Sequence, residues 1–328
     1  MKVRAIRPMP SILAVTIPFF AIVFAGYVAA RYRKLPEDAI PGLNAFVLYA
    51  ALPCMLFRFG MSTPVAQLLN PGVIGVYLFS ALLIVGITIV VTYRKPLTLK
   101  DASFGAQAAA APNSGFMGIP LLTTLLGAAA AGPVISSILV DLVATASLCI
   151  TLALWNDVSG QGRRAAIGNA LRGAASNPMP WAIALGVASK ATGLEPIGPI
   201  DVIIRMLSDA ATPVALFTIG AVTWRASQHA HTRTPVSGYL PVALIKLLLH
   251  PLLVAATGKA AQAVGIGISD FELLVLTLAA ALPSASNIAI LAERYGADTG
   301  RIARIILAST SLAFVTFSAL AWILGASR

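Results

Sequence analysis

Along this chain, apolar residues come in long blocks separated by short polar breaks. The blocks fall near residues 11–30, 40–59, 71–92, 99–126, 132–155, 176–194, 201–224, 237–258, 271–295 and 301–325. Each is close to the roughly 20 apolar residues a helix needs to cross a bilayer. The pattern therefore predicts an all-α polytopic membrane protein with ten transmembrane helices. Lys2, Arg4 and Arg7 ahead of the first block give it the look of a signal peptide. The run is too long for one, and Arg31-Tyr32-Arg33-Lys34 follows it directly, so a retained helix is expected.

Composition agrees and removes other classes. Of 328 residues, 58% are hydrophobic and 11% charged, with a mean hydropathy of +0.86. Soluble domains carry about 25% charged residues. A net charge of +11 would suit a nucleic-acid partner. The basic residues instead sit between blocks in ones, twos and threes, which is the positive-inside pattern of membrane loops, so no nucleic-acid partner is expected. They crowd onto the side holding Arg31, Arg94, Arg163, Arg164, Arg294 and Arg301, read as loop cations, which places both termini outside; the basic N-terminal tail argues the other way. The longest hydrophilic loop, 156–175, is then a cytoplasmic linker between residues 1–155 and 176–328, five helices each. Cys54 and Cys149 lie inside apolar blocks and imply no disulfide framework.

The two halves resemble one another. Residues 49–60, Tyr-Ala-Ala-Leu-Pro-Cys-Met-Leu-Phe-Arg-Phe-Gly, align with 209–220 at an offset of 160, matching two alanines, a proline, a phenylalanine and a glycine. Ala109-Ala110-Ala111-Pro112-Asn113-Ser114 aligns with Ala280-Ala281-Leu282-Pro283-Ser284-Ala285-Ser286-Asn287 at an offset near 171. Five is an odd number of crossings, so the second half enters the membrane from the opposite side. Two inverted five-helix repeats of this kind are a hallmark of secondary transporters.

The second aligned pair interrupts the fourth and ninth helices near their middles. Proline removes a backbone donor and clashes with the preceding turn, so each helix should break there. Backbone groups freed at membrane depth must be buried in protein or line a cavity. Ser, Asn and Gly are residues that cap a new helix start, and each restart presents a positive dipole end. Two such ends, with the neutral amides of Asn113 and Asn287, suit a small anion near the midplane. The candidate binding residues are Pro112, Asn113, Ser114, Gly115, Pro283, Ser284, Ser286 and Asn287.

Residues 113–121, Asn-Ser-Gly-Phe-Met-Gly-Ile-Pro-Leu, together with Pro283–Asn287, Arg294-Tyr295-Gly296 and residues 43–53 in the second helix, resemble the auxin efflux carrier family over essentially the whole chain. That family includes bacterial malonate and malate permeases and the plant auxin exporters. The resemblance implies broken helices 4 and 9 that cross, a scaffold, a mobile transport domain moving by an elevator motion, and a homodimer. It also implies a small organic anion as substrate and, with the plant exporters' large central loop absent, a compact member in a bacterial inner membrane. The related bile acid:sodium symporters place an acidic residue at the ninth-helix crossing; this chain has Ser and Asn there, which argues against a sodium site of that design.

Ionisable residues inside membranes are functional hypotheses by default. Asp141 lies mid-helix with Ser137 and Thr145 on the same face. That stripe either carries a proton or cation or forms a helix-packing network. Arg205 and Asp209 are spaced to pair along one helix face. Lys246 and His250 share a face too. They either supply positive potential or, for Lys246, pair with Asp141 or Asp209. Arg58, Glu293 and Arg294 lie at helix ends, where snorkelling is expected. Asp298 reads as a helix cap, and Ser309-Thr310-Ser311 either packs or satisfies the broken backbone. No cofactor or metal is expected: three histidines show no ligand spacing. Walker A, H-E-x-x-H and G-x-S-x-G patterns are absent, so an ATP-driven pump and an enzyme are set aside. The expected function is a secondary or facilitative carrier of carboxylates such as malonate or malate. A proton- or sodium-coupled symporter or antiporter is the alternative, and a non-transporting receptor the third reading.

Overall fold

The computed structural model describes residues 9–155, 168, 176–228 and 234–326, and among these it is helical throughout with no strand. The basic tail before residue 9, the charges of the 156–175 linker and Arg233 lie outside the described residues. The helices are α1 (Met9–Arg31), α2 (Ala39–Ser62), α3 (Pro71–Thr92), α4 (Leu99–Ala110), α5 (Ser114–Leu126) and α6 (Ala128–Ala153). They continue with α7 (Pro178–Thr192), α8 (Pro199–Gln228), α9 (Val236–Ala263), α10 (Asp270–Ala280), α11 (Ile288–Arg294) and α12 (Thr299–Ile323). Seven of the described helical stretches, α1, α2, α3, α6, α8, α9 and α12, are long and apolar enough to cross a bilayer. The chain is thus an integral multi-pass membrane protein. The remaining three predicted blocks differ in an informative way. Block 99–126 is the pair α4 and α5, block 271–295 is the pair α10 and α11, and block 176–194 is the 15-residue α7.

Local chemistry sets these limits. Thr98 with Asp101 and Ser269 with Glu272 form complete capping boxes at the starts of α4 and α10, 171 residues apart. Asn70 and Asn177 cap α3 and α7 with their side chains, each followed by a proline at the first helical position, where the missing N–H costs nothing. Asp298 caps α12 as expected.

Four π turns interrupt the described helices: Val47–Ala51, Ser114–Gly118, Asp141–Thr145 and Ile245–Leu249. Three of them end two residues before a proline, at Pro53, Pro120 and Pro251. A proline ring collides with the carbonyl four residues back, and widening the preceding turn makes room for it. The turn at Asp141–Thr145 has no such proline after it.

Helix packing in a membrane relies on close fit rather than on hydrophobic transfer. α1 runs along α8, and α2 along α7. Both contacts hinge on glycine. A Cβ on Gly26 would overlap the carbonyl oxygen of Phe217, and one on Gly220 that of Val23. A Cβ on Gly186 would overlap the carbonyl oxygen of Phe57, and one on Gly60 would lie 2.5 Å from that of Ile183. Gly26 and Gly186 are 160 residues apart, as are Gly60 and Gly220. The two seams are therefore built from corresponding positions. α3, α4, α6, α9, α10 and α12 pack around two further apolar clusters, and α12 also packs on α1 and α8.

Candidate functional site

α4 stops at Ala110 and α10 at Ala280, a few residues before their prolines. Between the two breaks the backbones pair antiparallel at Pro112 and Ser284. Asn113 N donates to Pro283 O at 2.8 Å, and Ala285 N donates to Ala111 O at 3.0 Å. Ser284 Oγ donates to Ala108 O at 2.7 Å, and Ser284 N donates to Ser309 Oγ at 3.2 Å. The two breaks thus meet, and each satisfies part of the other's freed backbone, with α12 contributing Ser309. This resolves the expectation for Ser309 in favour of backbone satisfaction.

Asn113 and Ser114 are 2% and 1% exposed, and Ser284 and Ser286 are also buried; Gly115 and Asn287 are half-buried. Neither asparagine caps its restarting helix with its side chain, contrary to what residue type alone suggests. Met117 N and Gly118 N instead return to the carbonyl of Asn113. That leaves Asn113 Nδ2 and Ser114 Oγ buried with no protein partner. Unsatisfied buried donors are costly, and here two sit side by side at a helix start, where the first amides lack intrahelical acceptors.

A second polar group lies between α3, α6 and α9. Tyr77 Oη donates to Asp141 Oδ2 at 3.1 Å, and Thr145 Oγ1 to Asp141 Oδ1 at 3.4 Å. Ser137 Oγ donates to Val134 O at 2.7 Å. Lys246 Nζ donates to Ala280 O at 2.7 Å and meets His250 Nδ1 at 3.0 Å. Lys246, His250 and Tyr77 are fully buried, and the Tyr77 and His250 rings are 5.9 Å apart. The sequence pointed to Asp141, Lys246 and His250 but not to Tyr77, whose position in an apolar helix looks like packing.

The other paired charges differ from expectation. Arg205 pairs with Asp201 at 2.7 Å, not with Asp209. Asp209 lies 3.4 Å from Arg58, so this arginine bridges α2 and α8 rather than only snorkelling. Helical spacing allowed Arg205 a partner on either side, and the outer one is closer to the helix end. Asp209 is exposed and does not meet Lys246. Lys246 and Asp141 attract one another without direct contact. Arg58, Arg205 and Lys190, each with its acidic partner, line a cleft of about 710 Å³ that reaches Pro120, Thr123 and Thr124 of α5. The cleft follows the helix after the break and does not include Asn113. Arg301, read in the sequence as a loop cation, is fully buried. Its Nε donates to Gly238 O and its Nη1 to Asp101 O, both at 2.8 Å, tying the starts of α4, α9 and α12 together. No cluster of three or more His, Cys, Asp or Glu suited to a metal occurs among the described residues.

A family model described as "Membrane transport protein" matches residues 11–169 and 163–322. A Rhizobium meliloti (strain 1021) protein named "Putative malonate transporter" is 29% identical over 321 residues, 96% of this chain and 97% of that one. "Uncharacterized transporter YfdV" of Escherichia coli (strain K12) is 26% identical over 318 residues, 94% of this chain and 95% of that one. An "Uncharacterized transporter" of Methanothermobacter thermautotrophicus is 27% identical over 299 residues, covering 90% and 92%.

Proposed function

From the premise that the chain belongs to the auxin efflux carrier family of membrane transport proteins, and so is a transporter rather than an enzyme, we propose that it carries small carboxylates such as malonate or malate. The observation that carries this reading is the crossing itself. Two broken helices meet at Pro112 and Ser284, and the Asn113 amide and Ser114 hydroxyl are buried there with no protein partner. A carboxylate supplies the acceptors that these donors lack, and two neutral donors beside a helix start hold one without a fixed countercharge. Pro112, Gly115, Pro283, Ser284, Ser286 and Asn287 shape the same place. The name of the Rhizobium relative points to the same substrate class.

In this reading the molecule has ten transmembrane helices in two inverted five-helix repeats, α4 with α5 and α10 with α11 each making one crossing. The glycine pairs 160 residues apart and the capping boxes and breaks 171 apart support it. The glycine-packed α1, α2, α7 and α8 are the scaffold, and the crossing travels against them with its substrate in an elevator motion. A homodimer in a bacterial inner membrane completes the proposal.

The test is counterflow of radiolabelled malonate in proteoliposomes, which needs no driving gradient. Exchange inhibited by other small dicarboxylates and lost in Asn113→Ala, with that variant still monodisperse, is the expected result. Normal exchange by Asn113→Ala would remove the crossing from the mechanism. Absence of exchange in folded wild type would reject malonate.

A further inference from the structure

We propose that Asp141, Tyr77, Lys246 and His250 form an intramembrane proton-binding site through which carriage of the organic anion is coupled to proton movement, an inference that rests on the carrier reading above. Four observations converge on this group. A carboxylate, a phenol, an ammonium and an imidazole from three helices lie together inside the helix bundle, linked through Tyr77 and Lys246, where ionisable groups are costly. The π turn at Asp141–Thr145 is the one among the described π turns with no proline two residues after it, and unprompted π turns concentrate at functional sites. His250 Nε2 is buried without a partner. Finally, Lys246 Nζ holds the carbonyl of Ala280, the last residue of α10, directly before the break at Pro283.

The chemistry selects a proton over a metal cation. One carboxylate is present, and both of its oxygens already accept hydrogen bonds, from Tyr77 and Thr145. The Lys246 ammonium repels a second cation from the same space. Metal sites need several oxygen, nitrogen or sulfur ligands around an open centre, and the described residues gather no such set.

An ammonium at Lys246 donates to His250 Nδ1, and the imidazole proton is then on Nε2. A second proton on the ring would set two positive charges 3.0 Å apart, so this pair holds at most one charge. The exchangeable proton is placed on Asp141, the one carboxylate of the group. The carboxylate gains an O–H bond when loaded and loses it on release, with no oxidation. The groups acting on one another are Tyr77 on α3, Asp141 and Cys149 on α6, and Lys246 and His250 on α9. α10 presents the Ala280 carbonyl. From α12, Arg301 donates to Gly238 O of α9, two turns before Lys246, and to the backbone carbonyl of Asp101 on α4. Neutralising Asp141 removes the charge that Lys246 attracts, and Lys246 is the residue clamped to the crossing. Proton loading thereby acts on the end of α10 and on the substrate position next to it.

Two measurements test this, one without substrate. In proteoliposomes, wild type should accumulate malonate above its equilibrium level when a pH gradient of the productive sign is imposed. Asp141→Asn should lose that accumulation yet keep gradient-free counterflow, and Asp141→Glu should restore it. In detergent, infrared pH-difference spectra should show a protonated-carboxyl band that is absent in Asp141→Asn; a packing role would give no such band. Wild-type counterflow with accumulation indifferent to the pH gradient would overturn the coupling and leave the carrier reading intact. A missing Asp141 band would overturn the site whether or not malonate is the substrate. A titrating band without any counterflow would support the site and reject malonate. If Asp141→Asn fails to fold, Tyr77→Phe, which keeps the ring, and Lys246→Arg, which keeps the charge, are expected to shift the pH dependence of accumulation; unchanged profiles in both would overturn the proposal.

Discussion

The glycine seams and the crossing hold the molecule together by opposite means. At the seams, glycine lets α1 meet α8 and α2 meet α7 with backbone against backbone. At the crossing, α4 and α10 give up helical hydrogen bonds and recover them from each other, from Ser284 and from Ser309. The first kind of contact is dispersion between close-packed surfaces, strong only while nothing intervenes. The second is a network whose members can be exchanged one at a time, and two of its donors are left over. A surface that must stay fixed suits the first kind; a place that must accept and release a ligand suits the second.

The sharpest way to break this contrast is to add a methyl group or two at a seam. In Gly220→Val the new Cβ overlaps the Val23 carbonyl, which is backbone and cannot rotate away. Overpacking typically costs about 1–3 kcal/mol, and more where backbone must shift. Loss of folded protein on size-exclusion chromatography is the expected outcome. Gly60→Val, the corresponding position 160 residues earlier, should be comparably damaging. A seam that tolerates valine while its counterpart does not would end the correspondence between the halves.

Arg301 comes next, because it belongs to neither kind of contact. Its guanidinium lies against Gly105 and holds the carbonyls of Gly238 and Asp101. Arg301→Met leaves both carbonyls without their donor, at roughly 1–3 kcal/mol for each buried unsatisfied group. Arg301→Lys should recover only part of this, since a lysine has no fork to span two acceptors. Thermal unfolding in detergent should rank wild type above Lys and Lys above Met. Equal midpoints for all three would show that the starts of α4, α9 and α12 hold without this tie.

The all-helical, membrane-spanning character was legible because hydrophobic block length is a strong signal, and the Pro-Asn and Pro-Ser breaks are strong exceptions to it. The helix ends at Asn70, Thr98, Asn177, Ser269 and Asp298 are short-range chemistry of the same kind. The breaks at Pro112 and Pro283 were legible as breaks, but which groups satisfy them depends on a contact between residues 171 apart in sequence. The asparagines therefore looked like caps when they are not. Charge pairing failed for the same reason: Arg205 could reach an acid four residues away on either side, and Asp209 found Arg58 on another helix. Arg301 was misplaced because a cation one turn into a helix is indistinguishable from a flanking loop charge until its neighbours are known. Tyr77 carried no signal, since an aromatic residue in an apolar helix is ordinary, and only the position of Asp141 gives its hydroxyl a purpose.

The smallest effect expected is at Ser309, and it examines the crossing most directly. Its hydroxyl accepts from Ser284 N and donates to Ile306 O. Ser309→Ala removes the acceptor and strands one buried amide, a loss of about 1 kcal/mol, allowing for the modest worth of hydrogen bonds within membranes. Ser284→Ala removes the donor to Ala108 O but leaves its own amide in place. If the two serines act as one network, the double variant should lose less stability than the two single losses combined, because the second change finds the network already loosened. Thermal midpoints of the four proteins measure that coupling. Strict additivity would mean that the backbone pairing at Pro112 and Ser284 holds the crossing by itself, with the serines as separate, local contributions.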